Sequence, residues 1–157
     1  RSLLRRGVIG TPLEPIARSL YTALSPTQAA RYDRQLGAVI RRVLRADSNS
    51  VDVGAHRGAV LRELLRRAPR GVHYAVEPLP EQAAYLRARF PAARVLQYAL
   101  GEAAGEASFY HVVERPTRSG LRRVEYPSPD EPVVPIAVAV ARLDALVPPE
   151  LPISLLK

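Results

Sequence analysis

The sequence contains no cysteine. Neither a disulfide framework nor a thiolate metal site is available to it. Lysine is nearly absent too: Lys157 is the only one, and arginine supplies the rest of the 23 basic residues. Histidine occurs three times, at positions 56, 73 and 111, without metal-ligand spacing. No metal site is expected. No apolar run approaches the roughly 18 residues of a membrane-spanning helix. Leu3-Leu4, set between arginines, is too short for a signal-peptide core. No membrane span is expected, and a cytoplasmic location follows by default.

What remains suffices for one domain. The chain has 157 residues, 47% of them hydrophobic, which is ordinary for a globular protein. Its formal charge of +8 raises the question of a nucleic-acid partner. The arginines are spread along amphipathic segments rather than gathered in one stripe, and no RNA-binding aromatic motif accompanies them. Nucleic acid is therefore not the expected partner.

The organising stretch is Ser50-Val51-Asp52-Val53-Gly54-Ala55-His56-Arg57-Gly58. A short apolar run reaches an acid, a Gly-x-x-x-Gly loop follows, and residues 59–67 carry apolar side chains at helical spacing. Strand, tight turn, helix is the layout that holds nucleotide-like ligands at a helix N-terminus. Gly54 is read as a backbone position closed to other residues, and Gly58 as a close approach of helix to strand. A dinucleotide fold would present Gly-x-Gly-x-x-Gly to a pyrophosphate. Here His56 occupies the place of the second glycine. Asp52 also opposes a phosphate: like charges about 4 Å apart cost roughly 1 kcal/mol in water and about 4 at an intermediate dielectric. Toward a cation the sign reverses. S-adenosylmethionine carries an ammonium and a sulfonium and no phosphate, so Asp52 favours it over NAD. The plainer alternative is a glycine turn that binds nothing.

Val72-His73-Tyr74-Ala75-Val76-Glu77 reads as a second strand ending in an acid. Glu77 lies roughly 20 residues beyond the glycine loop, where a carboxylate accepts hydrogen bonds from ribose hydroxyls. Pro78-Leu79-Pro80 ends that strand and opens a helix. A solvated strand-end acid is the alternative for Glu77 alone; the glycine loop before it reverses the balance.

These segments, with Tyr98-Ala99-Leu100-Gly101, Arg142-Leu143-Asp144-Ala145-Leu146 and Pro152-Ile153-Ser154-Leu155-Leu156-Lys157, resemble the FkbM-type S-adenosylmethionine-dependent methyltransferases over about residues 48–157. The resemblance implies an α/β, Rossmann-like class I methyltransferase fold with N-terminal helices, truncated at the start of the fourth core strand. It implies a helical lead or cap over residues 1–46 and the cofactor-binding part of the domain over 47–157. S-adenosyl-L-methionine is the implied cofactor, with Asp52, Gly54, Ala55, His56, Gly58, Glu77, Pro78, Ala99 and Leu100 as its binding residues. Ser119 is implied near the acceptor. The implied reaction is O-methylation of a small-molecule or sugar hydroxyl, by a fragment lacking part of its active site. No catalytic residue is assigned; His56 and His111 are weak candidates for a base, and His56 reads better as a loop-ordering residue. The rival readings are a non-catalytic cofactor-binding module and an NAD-dependent oxidoreductase.

The remaining segments are read more coarsely. Thr11-Pro12-Leu13-Glu14 starts a helix to about Leu24, and Ser25-Pro26-Thr27-Gln28 a second to about Arg45, with Ala29, Tyr32, Leu36, Val39, Ile40 and Val43 along one stripe. Residues 58–68, 72–77, 79–89 and 94–98 alternate helix and strand in the βαβ manner, the last run extending through Leu100. Two extended runs follow, at 105–113 and 131–140. The loop between them carries Arg118, Arg122 and Arg123, candidates for an anionic or sugar substrate, with a solvated basic loop as the safer reading. Asp144 reads as a cap or surface acid.

Overall fold

The computed structural model describes residues 28–113, 118–122 and 132–157. The chain divides into two compact units with the boundary between Arg42 and Val43. The expected helix over residues 11–24 lies outside the described residues. Helix α1 spans Gln28–Val43. Its buried line runs through Ala30 and Ile40, with Leu36 and Gly37 half-buried between them. Tyr32, Val39 and Val43, expected on the apolar stripe, are exposed instead. The buried line includes two of the smallest side chains, Ala30 and Gly37, which an apolar count passes over.

The second unit is built on a parallel sheet. Strand β1 (Asn49–Val53) leads through the glycine loop into α2 (Ala59–Arg67), then β2 (His73–Val76), α3 (Pro80–Arg89) and β3 (Arg94–Leu96). The order in space is β3-β2-β1-β7, where β7 is Ile153–Leu156, and every pairing is parallel. Such a sheet is covered on both faces, so its central strands read as continuous runs rather than alternating ones. Ser50, Val51, Asp52 and all of β2 are accordingly buried. Two polar side chains in this interior satisfy each other: Ser50 Oγ and His73 Nδ1 are 2.7 Å apart, and His73 Nε2 lies 2.7 Å from the Ala68 carbonyl.

The side chains that close the core follow from the sequence. Ala55, Leu61, Ala75, Leu86 and Phe90 pack together where α2 and α3 meet the sheet, and Val51, Tyr74, Val76 and Val147 form a second cluster. Several arginines are spent on aromatic faces: Arg62 and Arg89 stand 6.0 and 5.8 Å from the Phe90 ring, and Arg94 lies 5.4 Å from Tyr74.

The run read as one strand through Leu100 is two. Strand β3 pairs with β2, while β4 (Ala99–Leu100) joins a second sheet ordered β4-β6-β5. Strands β5 (Gly105–Val112) and β6 (Val133–Ala141) pair antiparallel along their length. Ala99 sits opposite Val140, so the chain crosses between sheets at Gln97-Tyr98 because its hydrogen-bonding partner changes there. A short helix, α4 (Leu143–Leu146), leads toward β7. Asp144 there is exposed and pairs with Arg142. Among the described residues, no helix is long and apolar enough to cross a membrane.

The sheet order places β2 and β3 on one side of β1 and β7 on the other. The direction of chain progression reverses between β1 and β7. In open α/β sheets ligands bind outside the carboxyl ends of the strands at such a reversal.

Candidate functional site

At the carboxyl end of β1 the chain turns through three left-handed positions. Gly54, His56 and Gly58 have φ of 69°, 50° and 70°. A side chain at Gly54 would meet nothing within 4 Å, so glycine is required there by the dihedral alone. At Gly58 space matters as well. A Cβ there would overlap the Phe90 ring and approach Leu86 at 2.9 Å. The close approach is thus to side chains at the end of α3, not to the strand. His56 adopts the left-handed region without glycine's freedom, at a cost of roughly 1–2 kcal/mol.

Glu77 offsets that cost. Its Oε2 accepts the His56 N–H at 2.8 Å, and its Oε1 accepts the Leu79 N–H at 3.1 Å. The acid at the end of β2 therefore clamps the loop that follows β1 while fixing the start of its own turn. Glu77 is only 4% exposed. Burial pushes its carboxyl above the usual carboxylate range, against the pull of the two N–H donors; the Asp52 charge pushes the same way as burial. Each Glu77 oxygen retains a second lone pair for a ligand hydroxyl.

Three further loop amides are engaged as well. Gly54 and Ala55 both donate to the Val76 carbonyl, at 2.9 and 3.2 Å, and Gly58 donates to the Ala55 carbonyl at 2.7 Å. A phosphate cradle needs such N–H groups free and converging on the anion. This loop spends them on its own architecture.

Asp52 is fully buried and faces a cation supplied by the chain itself. Lys157 Nζ lies 3.1 Å from Asp52 Oδ1 and donates to the Val53 carbonyl at 3.3 Å. Neither Asp52 oxygen accepts a well-directed hydrogen bond among the described residues. Burial raises the Asp52 carboxyl above its ordinary range, and the Lys157 ammonium pulls it back only in part. Lys157, the residue after β7, is held by β1: its N–H donates to the Val51 carbonyl and its carbonyl accepts the Val53 N–H.

A cavity of about 400 Å³ opens beside these groups. Gly54, His56, Glu77 and Pro78 line it from the first two strand ends, Ala99 and Leu100 from β4, and Ser119 from the segment after β5. Of the remaining sequence candidates, Asp52 lies behind Lys157, Ala55 packs in the core with Leu61 and Phe90, and Gly58 packs against α3. The structure does not bring those three to the cavity wall. It adds Val53, Val76, Leu79, Tyr98, Phe109 and Lys157, which are not sequence candidates, and Leu121, the neighbour of Ser119 in the implied acceptor loop. Ser119 Oγ accepts the Val112 N–H at 2.9 Å and lies 3.4 Å from His111 Nδ1. Of the three loop arginines, Arg118 and Arg122 are exposed and absent from the cavity wall, and Arg123 lies outside the described residues. A wider groove of about 740 Å³ runs past α4 and Pro148–Pro152. Its Arg142 and Asp144 are exposed and paired with each other, and its Glu102 is exposed. Among the described residues no group of three or more acidic or histidine side chains is arranged to hold a metal ion.

Residues 52–157 match the methyltransferase FkbM domain. The chain belongs to that family. The matched span of this FkbM-family chain includes Asp52, the loop after β1, Glu77 and Lys157. No curated protein matches the chain. Among solved structures it is similar to the 23S rRNA methyltransferase ErmE, with 25% identity, TM-score 0.35, and coverage of 41% of this chain and 27% of that one. It is similar to a precorrin-6y C5,15-methyltransferase from Geobacter metallireducens GS-15, with 22% identity, TM-score 0.36, and coverage of 47% and 40%. A third is an amino pentose methyltransferase of calicheamicin biosynthesis from Micromonospora echinaspora, solved with SAM bound, at 22% identity, TM-score 0.35, and coverage of 51% and 33%. The FkbM-family chain thus spans between about a quarter and two-fifths of the solved chains it matches. These likenesses are partial, and the assignment rests on the family match.

Proposed function

We propose that this FkbM-family domain binds S-adenosylmethionine in the cavity at the ends of β1 and β2 and serves the transfer of its methyl group to a hydroxyl of a small molecule or sugar. One observation carries the reading. Glu77 stands in the cavity wall with two lone pairs left for a ribose diol, beside a glycine loop in which the amides of Gly54, Ala55, His56 and Gly58 are already engaged. That combination favours a nucleoside with a cationic amino-acid tail over a dinucleotide.

The residues present fit such a ligand. Val53, Tyr98, Leu100, Phe109 and Leu121 give the cavity apolar walls for a planar base. Ala99 leaves room beside them, since its side chain is a single methyl. When bound, the donor supplies an electrophilic methyl on its sulfonium. The chain's task is then to fix both partners and exclude water. Glu77 orients the sugar, Pro78 and Leu79 hold Glu77 in a rigid turn, and Ser119 marks the side from which an acceptor would approach.

A thermal-shift titration with S-adenosylhomocysteine tests the donor reading: an upward shift is expected, and none at millimolar ligand counts against it. Transfer of a radiolabelled methyl into hydroxylated acceptors tests the reaction. Binding without transfer to any acceptor would favour a non-catalytic module.

A further inference from the structure

An amino-acid-tailed ligand brings a carboxylate as well as a cation, and the glycine loop offers that carboxylate little. The N–H groups of Gly54, Ala55, His56 and Gly58 already donate to Val76, Glu77 and Ala55. Of the cavity wall, Lys157 carries the fixed positive charge among the described residues. Its ammonium meets Asp52 at 3.1 Å and the Val53 carbonyl at 3.3 Å. An ammonium has three N–H donors; the directed hydrogen bond to the Val53 carbonyl takes one, and the Asp52 contact is an ion pair, so donor capacity remains for the cavity.

We propose that Lys157 receives the carboxylate of the donor's amino-acid tail and that Asp52, through Lys157, is its positioning residue. Asp52 is 0% exposed and cannot reach a ligand itself. Its role is to fix the ammonium at the junction of β1 and β7, where the sheet order reverses. The chemistry suits lysine rather than arginine. A compact point charge can stand between a buried carboxylate and a ligand carboxylate, whereas a planar guanidinium would pair with one of them in a fixed fork. This chain uses arginine at every other basic position and lysine here. The inference rests on the S-adenosylmethionine reading and adds a specificity residue to it.

The test compares three ligands by calorimetry on the wild-type chain and on Lys157→Met. S-adenosylhomocysteine has the whole tail, S-adenosyl-3-thiopropylamine lacks only the carboxylate, and 5′-methylthioadenosine lacks the amino-acid group. Wild type should prefer the first over the second by about tenfold or more, and Lys157→Met should abolish that preference. Because the single variant leaves Asp52 buried without its cation, the Asp52→Asn/Lys157→Met double variant is measured alongside it. The double variant should also bind the first two ligands equally. Equal loss for all three ligands in either variant, or a wild type indifferent to the carboxylate, overturns the inference. A wild type that binds none of the three overturns the donor reading itself.

Discussion

Glu77 accepts the backbone N–H of His56, 21 residues earlier in the chain, at 2.8 Å. The same carboxylate accepts from Leu79 with its other oxygen. One buried acid therefore holds the left-handed loop after β1 and the turn after β2. Glu77→Gln keeps the shape but turns one acceptor into a donor facing an N–H group. The expected cost is about 1–3 kcal/mol in urea unfolding, with S-adenosylhomocysteine affinity reduced roughly tenfold to hundredfold by calorimetry. Unchanged affinity with lowered stability would make Glu77 a loop clamp only.

Gly54→Ala and Gly58→Ala should separate two costs. The first adds only left-handed strain, about 1–2 kcal/mol. The second adds overlap with Phe90 and Leu86, bringing the total to roughly 2–5 kcal/mol. Chemical denaturation of both variants gives the order directly. A Gly54 variant less stable than the Gly58 variant would contradict the packing described here.

Ser50→Ala leaves His73 Nδ1 without its partner in the sheet interior. A loss of about 1–3 kcal/mol is expected. Ligand affinity should be unchanged, because neither residue lines the cavity. This variant separates damage to the fold from damage to the site.

Burial raises the carboxyls of both Asp52 and Glu77 above their ordinary range. The folded state therefore holds their protons to higher pH than the unfolded chain does. Their stabilising contribution is complete below the unfolded carboxylate range and lost as pH rises through the folded values. Asp52→Asn cannot ionise, so its melting temperature relative to wild type should climb between pH 4 and pH 8. A difference that stays flat over that range would remove Asp52 from the linkage.

Much of this was legible in the sequence, for identifiable reasons. The glycine loop and the Pro78-Leu79-Pro80 turn punctuate the chain, so helices α2 and α3 and strands β1 and β2 fall within about a residue of expectation. The spacing of Glu77 from the glycine loop singles it out, and the residue lines the cavity. Other features depend on partners distant in sequence. Tyr98, Phe109 and Leu121 converge only once β4 leaves the first sheet for the second. Lys157 acquires meaning when β7 pairs with β1, more than a hundred residues away. Its being the only lysine was the available signal. Asp52, expected opposite a ligand cation, lies buried beside Lys157 instead, because both faces of a central parallel strand are covered. On α1 an apolar count favoured the larger side chains, whereas the buried line passes through Ala30 and Gly37.

The most direct measurement of the central claim is isothermal calorimetry of the wild-type chain with S-adenosylhomocysteine and, separately, with NADH. A strand-end acid beside a loop with spent amides predicts binding of the first and none of the second at the same concentration. Binding of NADH in preference to S-adenosylhomocysteine would contradict it.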